Sequence, residues 1–225
     1  MFLLTFLLIS FGKSEASYVN DNQDPLIKIH LEVQKLRAEV SALKKGAVYT
    51  RWGRKSCPGD DTELVYTGVA GGGHWTNTGA PAEYVCLPTD PNLVTNRNTQ
   101  NPYGGIAYIF GAEYEDNYFG NNLQDHDVPC AVCYTQQASA VLMIPGKNSC
   151  NRGWKREYNG NLASGHYTHV ASTQYICLDS DPEVQDKGAA DENGKLLYAV
   201  KAHCGSLPCP PYSQDGLMTC VVCSK

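Results

Sequence analysis

The first regular pattern of apolar residues along the chain has the spacing of a coiled coil. Six apolar residues recur at alternating steps of three and four positions; they are Leu26, Ile29, Val33, Leu36, Val40 and Leu43. Such steps place side chains on one face of an α-helix, as the a and d positions of a heptad. The pattern therefore predicts a short coiled-coil stem over residues 26–45, with these six residues mediating oligomerisation.

The charged residues beside this apolar seam agree with a parallel pairing of helices. The g positions hold Glu32 and Glu39. The e positions five residues further on hold Arg37 and Lys44. A parallel partner would meet opposite charges at both levels. The alternative is an amphipathic helix packed on the rest of the protein, since fewer than three heptads are present. Valine at a with leucine at d favours dimers, so the seam alone does not establish a trimer.

Beyond Gly46 the helical period is lost. Glycine, tyrosine, threonine and asparagine separate short apolar runs there, which is typical of β-strands joined by many turns. This part of the chain is therefore expected to be mostly β.

The cysteines indicate that the β-rich part is an internal repeat. One set is Cys57, Cys86, Cys130 and Cys133, and the other is Cys150, Cys177, Cys220 and Cys223. Successive members are 29, 44 and 3 residues apart in the first set and 27, 43 and 3 in the second. We therefore predict two tandem, duplicated, disulfide-rich β-subdomains after the helix, head subdomain 1 over residues 47–133 and head subdomain 2 over residues 134–225.

The residues between the cysteines repeat as well. His74-Trp75-Thr76 matches His166-Tyr167-Thr168, and Tyr84-Val85-Cys86-Leu87 matches Tyr175-Ile176-Cys177-Leu178. The second unit adds Cys204 and Cys209, which are close enough in sequence to close a small loop. Each unit thus contains an even number of cysteines and can be cross-linked internally.

The N-terminus predicts export from the cell. Residues 1–11 form an apolar run too short to span a bilayer, and Ser14 and Ala16 place small residues where a signal peptidase cleaves. We expect a signal peptide over residues 1–16, a linker over residues 17–25, and a secreted, extracellular protein. No other stretch is apolar enough to suggest a membrane partner. A net charge of −5 without a basic cluster argues against nucleic acid.

Two C-x-x-C motifs, residues 130–133 and 220–223, raise three chemical possibilities. A redox pair needs a low-pKa thiolate at a helix start, and a zinc site needs reduced thiols. An exported chain with ten cysteines in β-like sequence favours structural disulfides instead. Cysteines so close rarely bridge each other, so each motif is expected to reach back to the two upstream cysteines of its unit. The order of pairing stays open, because four cysteines permit three connectivities and six permit fifteen.

Several longer motifs resemble a known family of extracellular heads. They are Tyr49-Thr50-Arg51-Trp52-Gly53-Arg54, Asp127-Val128-Pro129-Cys130-Ala131-Val132-Cys133, Val141-Leu142-Met143-Ile144-Pro145 and Cys204-Gly205-Ser206-Leu207-Pro208-Cys209-Pro210-Pro211-Tyr212. Over about residues 47–225 the chain resembles the C-terminal head of short-chain, spongin-type collagens of marine invertebrates. Those heads look like distant relatives of the non-collagenous domain of basement-membrane (type IV) collagen.

The resemblance implies a cysteine pairing and an oligomer. The implied pairs are Cys57 with Cys133, Cys86 with Cys130, Cys150 with Cys223, Cys177 with Cys220, and Cys204 with Cys209. It also implies a homo-trimer of six subdomains about a pseudo-sixfold axis. The first unit departs from the family by lacking the small-loop pair, so packing must hold that loop. The chain also lacks any Gly-X-Y run, so it cannot form a triple helix, and the heptad stem occupies that place.

Three further groups of residues are weaker candidates for a binding site. His74, His166 and His169 suit a metal or sugar site, although a repeated packing role is favoured. Glu113, Glu115, Asp116, Asp125 and Asp127 offer oxygen ligands for calcium, but a solvated loop is favoured because the spacing is not that of an EF-hand. Tyr103, Tyr108, Tyr114, Tyr118 and Phe119 belong either to a contact surface or to the core. We assign no metal and no cofactor.

These observations favour assembly over catalysis. The sequence contains no nucleophile elbow, zinc-protease, phosphate-loop or dinucleotide motif, so we expect no enzyme activity. The leading hypothesis is a secreted, oligomeric structural protein of extracellular matrix or a secreted coat, most simply a homo-trimer, with a dimer as the alternative. The second hypothesis is a lectin-like or defence recognition protein that gains affinity through avidity. Matrix proteins and glycans are the corresponding partners.

Overall fold

The computed structural model describes residues 24–42, 46–93, 105–136 and 138–225. By its internal contacts the chain divides into Met1–Leu43, which contains the helix α1 (Pro25–Ala42), and Lys44–Lys225, called the head below. The predicted signal peptide (1–16), nearly all of the predicted linker (17–25) and Leu43 of the seam lie outside the described residues.

Helix α1 begins where local chemistry favours a helix start. Asp24 accepts a hydrogen bond on Oδ1 from the backbone N–H of Leu26 at 3.0 Å, which is the contact of an N-cap. Pro25 follows, and its fixed φ suits the first helical position. The described seam residues are all exposed; they are Leu26, Ile29, Val33, Leu36 and Val40. The helix overlaps the predicted stem, beginning one residue before its residue 26 and ending at Ala42, and its pairing with other helices stays a prediction.

The head is built from ten strands in the part of the chain that the structure describes, so the fold is mostly β as predicted. The first half contains β1 (Gly46–Trp52), β2 (Thr62–Gly72), β3 (Val85–Pro88), β4 (Phe110–Tyr114) and β5 (Pro129–Gln136). The second half contains β6 (Val141–Pro145), β7 (Lys155–Ser164), β8 (Ile176–Asp179), β9 (Lys195–Ala199) and β10 (Thr219–Ser224).

Each half pairs its strands by the same scheme. In the first half β5 lies between β1 and β2, and β2 also pairs with β3 and β4, always antiparallel. In the second half β10 lies between β6 and β7, and β7 also pairs with β8 and β9, again antiparallel. Strands β1–β5 therefore correspond one by one to β6–β10.

Two parallel contacts join the halves. Strand β4 pairs with β9, and β1 meets β8 at the residue pair Trp52 and Leu178. The strands β7, β8, β1, β5, β2, β4 and β9 thus follow one another in a circuit that returns to β7. The predicted subdomain boundary between Cys133 and Tyr134 falls inside β5, which continues to Gln136.

The long second strand of each half has a β-bulge at the same place. The register of β2 against β5 shifts beside Val65, and the register of β7 against β10 shifts beside Glu157. The extra residue in a bulge is left out of the ladder, so its side chain is free to point away from its own pair of strands. Val65 is exposed, whereas Glu157 is buried.

A tyrosine next to each bulge makes the same hydrogen bond in both halves. The hydroxyl of Tyr66 donates to the carbonyl of Cys86 at 2.9 Å, and that of Tyr158 donates to the carbonyl of Cys177 at 3.0 Å. Both bonds connect the second strand of the half to the cysteine of the third. Tyr66 and Tyr158 therefore occupy equivalent positions in the two halves.

Candidate functional site

All ten cysteines lie in the described residues, and all are paired. The disulfides are Cys57–Cys133, Cys86–Cys130, Cys150–Cys223, Cys177–Cys220 and Cys204–Cys209. They coincide with the pairs that the resemblance implies, and each C-x-x-C motif reaches back to the two upstream cysteines of its half. Both cysteines of each motif, on strands β5 and β10, thus form structural disulfides.

The first half holds its small loop without a third disulfide. The side-chain Oδ1 of Asn117 accepts hydrogen bonds from the backbone N–H groups of Leu123 at 3.0 Å and Gln124 at 3.2 Å. Phe119 and Leu123 are buried in the core. Packing and an asparagine therefore hold the first loop, whereas the second contains the Cys204–Cys209 bond.

A network of hydrogen bonds around Glu157 joins the two halves. Its donors are the hydroxyls of Tyr49 (3.1 Å) and Thr62 (3.3 Å) on Oε2, the hydroxyls of Thr135 (3.1 Å) and Ser224 on Oε1, and the ammonium of Lys155, 3.2 Å from Oε1. The first three donors belong to the first half and the last two to the second. A carboxylate that is 5% exposed is tolerated there because donors surround both oxygens.

Beside Glu157, cations of the first half face acids of the second. The guanidinium of the partly buried Arg51 lies 2.7 Å from the buried Asp179 carboxylate. Arg54 contacts Asp181 at 2.6 Å and Glu183 at 3.4 Å. The largely buried Arg51–Asp179 pair favours one geometry between the two halves, because leaving either charge unpaired there would be costly. The halves therefore meet through a polar, ion-paired surface.

The repeated histidines have matching environments. Nδ1 of His74 lies 2.8 Å from the hydroxyl of Thr76, and Nδ1 of His166 lies 2.8 Å from the hydroxyl of Thr168. Each ring also packs edge-on against an aromatic ring, that of Phe110 for His74 (4.9 Å between centroids) and Tyr198 for His166 (5.0 Å). These contacts describe a repeated packing motif.

His169 lies at the contact between the turn that contains His74 and the turn that contains His166. Its ring lies 4.7 Å from that of Trp75 in the first half and 5.5 Å from that of His166. Burial, and the neighbouring His166, lower the pKa of His169. Within the described residues, no group of three or more histidine, cysteine or acidic side chains has the geometry to hold a metal ion.

The acidic candidates near β4 are partly buried and do not form one site. Glu113 is buried and accepts a hydrogen bond on Oε2 from the backbone N–H of Asn193 at 3.1 Å. Burial, with Asp125, Glu113 and Asp191 nearby, raises the pKa of Glu115 to about 7. Burial also raises the pKa of Asp127. Asp116 is partly exposed, and its Oδ1 accepts the backbone N–H of Tyr118 at 2.8 Å.

The aromatic candidates divide between core and surface. Tyr114 and Phe119 are buried in the main hydrophobic core, which also takes side chains from the second half. Tyr108 and Tyr118 are exposed. Tyr103 lies outside the described residues. The four described aromatic candidates therefore divide into two core residues and two surface residues.

Sequence reasoning missed two buried charges, Glu157 and Lys195. Lys195 is 1% exposed, and its ammonium lies 3.2 Å from the carbonyl of Ala82 and 4.9 Å from the ring centre of Tyr84. Burial lowers the pKa of Lys195. For Lys195 the available signal was its place beside the apolar residues Leu196 and Leu197 of β9. For Glu157 it was the valine, Val65, at the corresponding position of the first half.

Comparison with protein-family models finds no matching family, and comparison with curated proteins finds no match. Among the described residues, no helix has the length and apolar character that crossing a membrane requires. The fold and the contacts thus define a mostly β head with five disulfides.

Proposed function

We propose that this protein is a secreted, oligomeric structural protein of extracellular matrix or a secreted coat, with a head of the non-collagenous type found in short-chain collagens. The observation that carries the proposal is the repeated architecture of the head. Strand pairing, bulge position, tyrosine hydrogen bonds and two disulfides recur in each half. A tandem duplication explains this recurrence, and it is what the resemblance implies.

Export follows from two supporting features. Five disulfides close all ten cysteines, which is the usual state of cysteines in oxidising compartments. The N-terminal apolar run over residues 1–11 has the length of a signal-peptide core. On this proposal the mature protein acts outside the cell, and it has no catalytic role.

Self-association is supported by the helix. Along α1 the apolar seam is exposed in the single chain, with Leu26 exposed by 72% and Val40 by 59%. A short helix is marginal in water by itself, so an exposed seam of this kind is best explained by partner helices. The proposed assembly is a homo-trimer of parallel stems, with a homo-dimer as the alternative.

Sedimentation velocity of the secreted, disulfide-intact protein tests the proposal. We expect a mass three times that of the mature chain. The variant Val33→Asp/Leu36→Asp places carboxylates in the seam and should weaken association at least tenfold, because charges at a and d positions cannot be buried. The matched control Gln34→Asp/Ala38→Asp places the same charges on other faces of the helix and should associate like the wild type. A wild-type protein that stays monomeric at high micromolar concentration would refute the proposal.

A lectin-like recognition role is the second candidate. Exposed aromatic rings favour it, above all Tyr167, which is 91% exposed, and Tyr175, which is 60% exposed. Such rings can stack on sugars, and an oligomeric head would multiply weak affinities. A glycan array probed with the oligomer separates the candidates. Reproducible binding to one glycan class supports recognition, whereas no binding together with incorporation into insoluble matrix supports the structural role.

A further inference from the structure

Seven aromatic side chains form a continuous row across the two halves of the head. Each ring lies 4.6–6.2 Å from the next, measured between centroids. In order, the rings are those of Tyr108, Phe110, His74, Trp75, His169, His166 and Tyr167. The first four belong to the first half and the last three to the second. This set of seven residues, called the aromatic row below, therefore exists only when the halves are packed together.

Both ends of the aromatic row are open to solvent. Tyr167 is 91% exposed and Tyr108 is 65% exposed. The five rings between them are half-buried. Val170, which follows the last histidine turn, is also exposed. A contiguous exposed surface of this kind is typical of a place where another molecule binds.

The two repeated histidines add hydrogen-bond donors to the aromatic row. Nδ1 of His74 accepts the backbone N–H of Thr76 at 3.2 Å, and Nδ1 of His166 accepts the backbone N–H of Thr168 at 3.4 Å. Because Nδ1 is an acceptor, the proton of each neutral imidazole lies on Nε2. Within the part of the chain that the structure describes, neither Nε2 has a hydrogen-bond partner. Each Nε2–H is therefore available to a ligand.

The charges beside the aromatic row are acidic. The ring of Tyr198 lies 5.0 Å from that of His166, and its hydroxyl donates to Oε2 of Glu115 at 3.4 Å. Glu115 is one of four neighbouring carboxyl groups; the others are Glu113, Asp125 and Asp191. Burial and the neighbouring His166 lower the pKa of His169, so its ring is uncharged at pH 7. A sulfated or carboxylated ligand would be repelled here, whereas an uncharged ligand would not.

These features suit the chemistry of a neutral, β-linked glycan chain. In β-linked glucose and N-acetylglucosamine the ring substituents are equatorial, so axial C–H groups form an apolar face on each side of the sugar ring. Such faces pack on aromatic rings, and the hydroxyl groups at the sugar edge accept from N–H donors. A lipid surface would instead be attracted by basic residues, and the neighbouring charges are acidic.

We propose that the aromatic row binds a neutral glycan chain of β-linked glucose or N-acetylglucosamine units. Tyr108 and Tyr167 stack on sugar rings at the two ends of the bound segment, and Trp75 stacks between them. The Nε2–H groups of His74 and His166 donate to sugar hydroxyls. This inference deepens the recognition role, the second candidate function, and rests on it by naming the class of ligand. An oligomer presents one such row per chain, which multiplies a weak affinity for a long polysaccharide.

Titration calorimetry of the full-length, disulfide-intact protein with chitohexaose and with cellohexaose tests the inference. We expect saturable binding of at least one of them at one site per chain. Its affinity should change less than twofold between about 50 mM and about 500 mM salt, because the contact pairs no charges. Heparin, an anionic polysaccharide, should not bind. Binding of neither hexasaccharide, or of heparin alone, would overturn the inference.

A variant at the exposed end of the aromatic row locates the binding site. Tyr167→Ala should weaken binding at least threefold, because a stacking ring is lost. The side chain is almost fully exposed, so the change should leave the fold intact. Tyr167→Phe keeps the ring and should bind like the wild type. The control Tyr212→Ala removes a tyrosine of the second half outside the row and should not change the affinity. Equal affinities of Tyr167→Ala and the wild type would overturn the assignment of the site.

Two further variants test the centre of the aromatic row. His166→Phe keeps an aromatic ring but removes the Nε2 donor, so it should weaken binding at least threefold. Chitohexaose or cellohexaose, whichever binds, should change the tryptophan emission of the wild type. The change should be absent in Trp75→Phe, because Trp52 is buried and lies outside the row. An emission change that persists in Trp75→Phe would place the ligand elsewhere and contradict the inference.

The outcomes also separate this inference from the proposed functions. Binding of heparin alone would keep a recognition role and overturn the neutral ligand. An oligomer that binds none of the three carbohydrates would overturn the inference and leave the structural role in place. A monomeric wild-type protein that binds chitohexaose through Tyr167 would overturn the proposed self-association and support the inference.

Discussion

Glu157 decides what kind of contact the two halves make. The bulge in β7 removes this residue from the ladder, and its carboxylate reaches hydroxyl donors on the other half, with Tyr49 at 3.1 Å and Thr135 at 3.1 Å. At the same place in β2, Val65 has no carboxylate to offer and is 54% exposed. One difference in residue type between corresponding positions of the two halves therefore separates a buried polar contact from an exposed apolar surface.

Removing this carboxylate should destabilise the head strongly. Glu157→Ala leaves the buried hydroxyls of Tyr49, Thr135 and Ser224 without this acceptor, while Lys155 keeps its ion pair with Asp61, so we expect a loss of about 3–5 kcal/mol in the free energy of unfolding. Glu157→Gln keeps one acceptor oxygen and should cost less. Guanidinium unfolding of the oxidised variants measures both. The matched control Val65→Ala alters the equivalent, exposed position and should cost no more than about 1 kcal/mol. Equal losses for Glu157→Ala and Val65→Ala would contradict this view.

At the scale of elements, the C-x-x-C motifs work because they lie on strands. Residues three apart on a strand point to opposite faces, so the two sulfurs of one motif cannot meet and instead bond to different neighbours. On β5, Cys130 lies in the main core and Cys133 in the second core cluster. The last strand of each half, β5 or β10, is thereby cross-linked by disulfides on both of its faces.

The five disulfides should differ in their contribution to stability according to the length of chain they close. Cys57–Cys133 spans 76 residues, and Cys204–Cys209 spans 5. In the chain-entropy model, loops of these lengths stabilise by about 4.5 and about 2 kcal/mol. Denaturant unfolding of Cys57→Ala/Cys133→Ala should therefore show a larger loss than that of Cys204→Ala/Cys209→Ala. The opposite order would mean that native packing around the small loop outweighs chain entropy.

At the scale of the molecule, the two halves of the head share the main core cluster. Buried Trp52 and Tyr114 of the first half pack in the same cluster as Ile176 and Leu197 of the second. Besides this shared core, two further connections join the halves: the circuit of paired strands and the hydrogen bonds around Glu157. Neither half can therefore open without exposing apolar surface of the other.

This connection predicts that both halves unfold together. Calorimetry of the oxidised protein should show one transition for the head, with equal calorimetric and van't Hoff enthalpies once dissociation is accounted for. Glu157→Ala should shift that transition as a whole to lower temperature. Two resolved head transitions, with only one of them sensitive to Glu157→Ala, would show that the halves are independent domains.

Local chemistry and spacing determined much of this protein. Asp24 and Pro25 start the helix, the loss of helical period after Gly46 marks the β-rich head, and the cysteine spacing indicates two similar halves. These features depend on neighbours in sequence or on a regular repeat, so they can be read without a fold. The resemblance, and not the spacing, implied the pairing of the cysteines.

Only the tertiary structure decided how the halves meet. Val65 and Glu157 lie at the β-bulges of their halves, and no local rule tells which of them will be buried. Burial of Glu157 follows from donors contributed by strands far away in sequence, such as Tyr49 of β1 and Thr135 of β5. Contacts between distant segments depend on the arrangement of whole strands, and that arrangement is set by the packing of the entire head.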